Sequence, residues 1–118
     1  MSASTIKVLE TGLQYIQKYG WKQGSYGRKE VGFCALGAVR EASYDLNDKF
    51  TFMHERSDKY YTAIGDLEKC AGEPVANYND TLSRKKADII KLFECAIERA
   101  KARSERARAV AARRKSNA

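Results

Sequence analysis

The stretch GWKQGSYGRKEVGFCALGA, residues Gly20 to Ala38, contains five of the eight glycines in the chain. Gly20 follows a helical pattern and can end that helix, because glycine readily adopts the left-handed conformation that other residues avoid. Gly24 and Gly27 are predicted turn positions. Gly37 lies inside an apolar run, where the absence of a side chain would let another helix approach closely. The stretch is therefore predicted to determine how one helix turns into the next.

Helices are predicted on both sides of these turns. Apolar residues at helical spacing, with Ser4 as a cap, predict a first helix over about Thr5 to Tyr19. A segment that is apolar on nearly every side predicts a buried second helix over about Phe33 to Tyr44. Trp21 to Val31 is then a loop between them, and we refer to residues 20–34 as the glycine loop.

Two further helices are predicted in the second half of the chain. An apolar pattern predicts a third helix that ends near Gly72. The residues NYND, 77–80, predict a turn, because their short polar side chains can bond back to the backbone. A closing helix is predicted to begin at Asp80 or Ser83 and to run to about Lys115. The predicted fold is all-α, a compact bundle of about four helices with a long basic C-terminal helix extending from the body.

Length and composition are typical of one small globular domain. The chain has 118 residues, of which 43% are hydrophobic and 31% charged, and this balance favours a folded chain over a disordered one. The first residues lack the basic and apolar regions of a signal peptide, and no apolar run is long enough to cross a membrane. We expect a cytoplasmic protein with no membrane association.

The net charge of +7 is concentrated at the C-terminus. Residues 101–118 carry seven basic residues and one acidic residue, whereas residues 1–100 carry 15 basic and 14 acidic residues. We therefore divide the chain into a helical globular domain, 1–100, and a basic Ala/Arg-rich helical extension, 101–118. Nucleic acid or an acidic protein surface is the predicted partner, and a solubilising, mobile terminus is the alternative. The predicted binding residues are Lys101, Arg103, Arg106, Arg108, Arg113, Arg114 and Lys115.

The three cysteines do not form a recognisable framework. Cys34, Cys70 and Cys95 are separated by 36 and 25 positions, and their odd number and wide spacing favour free thiols in a reducing interior. A zinc site would need all three together with His54, at spacings unlike those of known sites, so we expect no metal. A nucleophilic Cys34 would need His54 as its base, and a buried structural cysteine is the simpler interpretation.

The glycine loop could also contact a ligand. Glycines and basic residues precede a helix N-terminus, whose free amides attract anions. The loop matches neither GxxxxGK[ST] nor GxGxxG, however, so turn formation is the simpler explanation and no cofactor is expected. The candidate ligand-contacting residues of this loop are Trp21, Gln23, Ser25, Arg28 and Cys34.

Four segments resemble a family of small bacterial and bacteriophage proteins that form a domain of unknown function. They are GWKQG at 20–24, CALGA at 34–38, NYND at 77–80 and ADIIKLFECAIERA at 87–100. The resemblance covers roughly residues 5 to 100 and leaves out the basic extension. It implies a helical domain and a phage or mobile-element context, and it assigns no catalytic residue or substrate.

These observations predict a non-enzymatic, phage-encoded accessory protein in the cytoplasm of a bacterial host. Its basic extension would bind nucleic acid or an acidic host protein. One alternative is a host-directed or anti-defence inhibitor that acts by protein contact through the body. A weaker alternative is an enzyme centred on Cys34 or a nucleotide-binding domain.

Overall fold

The computed structural model of the protein describes residues 4–47 and 58–116. In this part of the chain, helices account for nearly all of the regular structure, and the predicted all-α fold is confirmed. The elements in chain order are α1 (Thr5–Tyr19), β1 (Gly27–Arg28), β2 (Gly32–Phe33), α2 (Ala35–Asn47), α3 (Asp58–Ala71), α4 (Val75–Asp80) and α5 (Lys86–Ser116).

Helix α1 has the predicted boundaries. Ser4 caps it, since the Ser4 hydroxyl accepts a hydrogen bond of 3.1 Å from the Lys7 amide. Gly20 ends it with a φ of 102°, and the Gly20 amide donates to the Ile16 carbonyl at 3.0 Å. These contacts satisfy backbone groups that would otherwise be free at the two helix termini.

The glycine loop contains a small hairpin that the sequence pattern does not reveal. Strand β1 pairs antiparallel with β2, with Gly27 opposite Phe33. Two-residue strands are too short to show an alternating pattern. Helix α2 begins at Ala35 rather than at Phe33, because Phe33 belongs to β2. The amides of Phe33 and Cys34 donate to the Gly20 and Tyr26 carbonyls.

The glycine that permits close helix packing is Gly12 rather than Gly37. A Cβ on Gly12 would lie 3.1 Å from the Phe93 ring, where α1 meets α5. A Cβ on Gly37 would lie 1.9 Å from the Tyr26 carbonyl oxygen, so Gly37 makes room for the glycine loop and not for a second helix. The prediction of a helix contact at Gly37 is therefore wrong, since the neighbour there is loop backbone.

The predicted turn at residues 77–80 is also wrong, because these residues form most of the short helix α4. Pro74 precedes this helix. Proline has no backbone N–H group, so it leaves no donor unsatisfied at the start of a helix. The Asn79 side chain bonds to residues distant in sequence instead of closing a local turn. The polar residues of this segment therefore have a tertiary role that local propensity does not indicate.

Helices α1, α2, α3 and α5 enclose one hydrophobic core. Its largest fully buried apolar side chains are Phe33, Phe93, Leu9, Ile16, Leu67 and Ile89. Helix α5 runs without interruption from this core into the basic extension, as predicted, although it begins at Lys86. Its 31 residues correspond to about 46 Å at 1.5 Å per residue, which accounts for most of the molecule's 53 Å long axis.

A disulfide links α3 to α5 between Cys70 and Cys95, with an S–S distance of 2.12 Å. The expectation of free thiols is wrong for this pair, because packing of α3 against α5 brings the two residues together despite their 25-residue separation. Cys34 is the free and buried cysteine. The expected role as a small buried residue holds for Cys34.

None of the helices in the described ranges is both long enough and apolar enough to cross a membrane.

Candidate functional site

Asn79 connects the glycine loop to α4. Its side chain is 1% exposed, and its Oδ1 accepts hydrogen bonds from Trp21 Nε1 at 2.7 Å and from the Ala35 amide at 3.0 Å. Its Nδ2 donates to the Lys22 carbonyl at 3.1 Å and to Asp80 Oδ1 at 2.9 Å. The amide thus makes two bonds as acceptor and two as donor, the full capacity of its side chain.

Further hydrogen bonds hold the glycine loop on the same helix. Gln23 Nε2 donates to the carbonyls of Asn79 and Thr81 at 3.0 and 2.8 Å. The Gly24 amide donates to Asp80 Oδ1 at 3.0 Å. Trp21 and Gln23, two of the candidate ligand-contacting residues, therefore use their polar groups to join the glycine loop to α4.

Ser25 and Arg28, two other candidate residues of the glycine loop, make exposed contacts. The Ser25 hydroxyl accepts a hydrogen bond from the Lys22 ammonium. Arg28 forms an exposed ion pair with Glu30 at 3.5 Å. These contacts leave the basic groups on the solvent side of the loop and do not bring them together around one position. A ligand of this loop stays a prediction.

A pocket of about 190 Å³ lies between the glycine loop and α4. It is smaller than the roughly 300 to 1,000 Å³ that is usual for small-molecule and cofactor sites. The residues that line it are Gly24, Ser25, Tyr26, Cys34, Leu36, Ala76, Asn79 and Asp80.

Cys34 lies in the wall of this pocket and is 8% exposed. Burial raises the pKa of its thiol, although hydrogen bonds from the Gly37 and Leu36 amides act in the opposite direction. The Gly37 amide donates to Sγ at 3.3 Å. A raised pKa disfavours the thiolate, which is the nucleophilic form of a cysteine. His54, the base considered for it, lies outside the described residues.

The cysteines are not arranged for a metal. Within residues 4–47 and 58–116, no three potential ligands lie close enough together to hold an ion. Cys70 and Cys95 are joined to each other, and a disulfide sulfur has no thiolate to offer to zinc.

The basic extension projects from the body as the last part of α5. Its basic side chains are exposed from residue 105 onward. The described part of the chain offers no ion-pair partner to Lys101, Arg106, Arg108, Arg113, Arg114 or Lys115. These six predicted binding residues are thus available to an external partner.

Arg103 differs from the other basic residues of the extension. Its two terminal nitrogens each donate to one oxygen of the Asp66 carboxylate at 2.7 Å. Asp66 is 3% exposed on α3, and Arg99 lies 3.7 Å from the same carboxylate. The hydrogen bond to Asp66 raises the pKa of Arg103. Arg103 therefore holds the base of the extension against α3, and no feature of the sequence singles out Asp66 as its partner.

A comparison with family models places most of this chain in one group. The model of a family of unknown function, DUF6197, matches residues 1–99. The chain belongs to this family. The predicted resemblance to a domain of unknown function is thus confirmed, and the four resembling segments lie within the match or end one residue beyond it. No curated protein and no solved structure matches the chain.

The DUF6197 match ends where the basic extension begins. The Asn79 contacts and the glycine loop lie inside the matched region, whereas the exposed basic residues lie outside it. The disulfide lies within the matched region. Its two cysteines are far apart in the sequence, so the sequence does not reveal that they are close in space.

Proposed function

We propose that this protein is a non-enzymatic accessory protein that binds nucleic acid through its basic extension. The observation that carries the proposal is a set of six exposed basic residues on one projecting helix, which have no ion-pair partner among residues 4–47 and 58–116. Such residues can contact phosphates without losing an existing ion pair. Each contact releases counterions, so that affinity depends steeply on salt.

The charge distribution of the chain supports the same proposal. Residues 1–100 carry nearly equal numbers of acidic and basic residues, and the excess positive charge lies in the extension. The Asp66–Arg103 contact also orders the first turn of the extension before a partner arrives. A helix that is already ordered loses less conformational entropy on binding.

The experiment compares the full chain with a variant lacking residues 105–118. This deletion leaves Arg103 and its contact with Asp66 intact, so the body keeps its packing. Binding to a fluorescent DNA duplex, measured by anisotropy over a series of salt concentrations, should be lost on deletion. For the full chain, a plot of log affinity against log salt should have a slope of about −5 if all six residues contact phosphates.

Equal binding by the two proteins would overturn the proposal. The alternative, a host-directed or anti-defence inhibitor acting through the body, predicts instead that the truncated protein still captures a host protein after nuclease treatment. Capture that survives both the deletion and nuclease would favour that alternative.

The setting that we propose is the cytoplasm of a bacterial host, with the gene carried by a bacteriophage. The Cys70–Cys95 disulfide bears on this setting, because the cytoplasm usually keeps thiols reduced. Thiol counting on protein taken directly from host cells under denaturing conditions distinguishes the two states. One reactive thiol means an oxidised pair in the cell, and three mean a reduced pair and a typical cytoplasm.

A further inference from the structure

Five of the six basic residues of the extension that have no ion-pair partner in the described part of the chain form two rows on α5. Lys101, Arg108 and Lys115 form the first row, and Arg106 and Arg113 form the second. Residues seven apart in a helix are displaced by about 10 Å along the axis and by only about 20° around it. Each row therefore runs nearly parallel to the helix axis.

The two rows lie on nearly opposite sides of the helix. Arg106 and Arg108 are two positions apart, which separates their directions by about 160° around the axis. One surface between the rows carries Glu105, whose charge would repel phosphate. The other surface is a shallow groove lined by Ala107, Val110 and Ala111, with Arg103, Arg106 and Arg114 beside them.

The surface with Ala107 and Val110 is suited to a close approach. It continues the side of α5 that Phe93 and Ala100 bury in the core, since Ala107 follows Phe93 by about four helical turns and Ala100 by about two. Val110 is 39% exposed there, and the neighbouring alanines add little bulk. Arg114, seven residues after Ala107, lies on the same side. A partner can therefore approach the helix around Ala107 and Val110 while it contacts Arg114 and both basic rows.

We propose that the extension lies in the major groove of duplex DNA, with one basic row against each phosphate backbone. This inference rests on the proposed function and adds the form of nucleic acid and the groove. The major groove is about 12 Å wide and admits an α-helix, with a backbone on either side. Residues 105–116 would extend about 18 Å along the groove at 1.5 Å per residue.

Other nucleic acids fit the two rows less well. A single strand has one backbone and meets one row at a time. Double-stranded RNA has two backbones, but its major groove is too narrow and deep for side chains on a helix to enter. Phosphates on both sides of an accessible groove are a property of B-form DNA.

The first test compares four probes of equal length with the full chain: a DNA duplex, the same duplex with glucosylated hydroxymethylcytosine, an RNA duplex and polyglutamate. Glucosyl groups fill the major groove and leave the phosphates in place. We expect affinity for the plain DNA duplex to exceed that for the other three at least tenfold. Netropsin, which occupies the minor groove, should leave binding to the plain duplex unchanged.

The second test uses matched pairs of variants. R106Q/R113Q and R108Q/K115Q each remove two charges from one row, and each should lower the salt slope for the DNA duplex by about 2. K69Q/K91Q removes two charges from the body and should leave that slope unchanged. A107W should weaken duplex binding at least tenfold, whereas A109W, on the Glu105 side of the helix, should have no effect.

The outcomes separate this inference from the proposed function. Equal binding to glucosylated and plain DNA, competition by netropsin, or loss on altering one row only would overturn the groove assignment while nucleic-acid binding stands. No binding to any nucleic acid, with extension-dependent binding to polyglutamate, would overturn both in favour of an acidic protein surface.

Discussion

The contact between the glycine loop and α4 differs from the basic extension in where its polar groups find their partners. In the first region, buried Asn79 satisfies every polar atom of its side chain within the protein. In the second, six basic side chains are exposed and have no internal partner among the described residues. Polar residues that are buried and fully bonded hold a fold together, whereas unpaired exposed ones are available for binding.

The comparison predicts the largest loss of stability at Asn79. Asn79→Ala leaves the partly buried Trp21 Nε1–H and the buried Ala35 N–H without their acceptor, and each unsatisfied donor costs about 2 kcal/mol. We expect the free energy of unfolding in urea to fall by about 4 kcal/mol.

Asn77→Ala is the matched control on the same helix, because Asn77 is exposed. It should change the free energy of unfolding by less than about 0.5 kcal/mol. Similar losses for the two variants would contradict a special role for Asn79.

The disulfide should have the next largest effect. Cys70→Ser together with Cys95→Ser removes a link across 25 residues, and loop-closure entropy gives such a link about 3 kcal/mol. We expect this loss in urea unfolding of the double variant.

Reductant provides the control for the disulfide. It should lower the stability of the original protein to that of the double variant and leave the double variant unchanged. Equal stability of the oxidised and reduced forms of the original protein would show that the link does not stabilise the fold.

A smaller effect is expected for the reactivity of Cys34. Because burial raises the pKa of this thiol and limits access to it, its labelling at pH 7.5 should be about tenfold slower than that of a model thiol. The measurement is the rate of reaction with an aromatic disulfide, followed by absorbance.

The same measurement in denaturant should bring Cys34 to the rate of the model thiol. A folded-state rate faster than that of the model thiol would instead indicate an activated nucleophile and favour the enzyme alternative.

The smallest stability effect should come from the basic extension. Arg106→Gln together with Arg113→Gln removes exposed charges that make no contact within the described residues, so the free energy of unfolding should change by less than about 0.5 kcal/mol. A loss above about 1 kcal/mol in urea would show that these arginines stabilise the fold and would weaken the contrast between the two regions.

Several elements were predictable because their signals are local. The Ser4 cap, the Gly20 terminus and the apolar periodicity of α1 lie within one short window of sequence, and α5 continues as far as its helix-forming residues do. The hairpin at Gly27 and Phe33 and the helix at residues 75–80 were not predictable in this way. Two-residue strands and a six-residue helix are too short for a periodic pattern to appear.

The candidate sites also differ in whether their signals are local in the sequence. The exposed basic residues were apparent from charge alone, because a charge excess needs no knowledge of neighbours. The role of Arg103 was not apparent, because it depends on Asp66 from another helix, 37 residues away. Likewise, the polar groups of Trp21 and Gln23 suggested a ligand until their partners on α4 were known.

The amino-acid sequence by itself determined the helical class of this protein, the ends of its first helix and the separation of a nearly neutral body from a basic extension. These depend on propensity, periodicity and charge, which are properties of residues near one another in the chain. The tertiary structure alone decided the Cys70–Cys95 link, the bonds of Asn79 and the engagement of Arg103. Each of these joins residues that only the packing of helices brings within bonding distance.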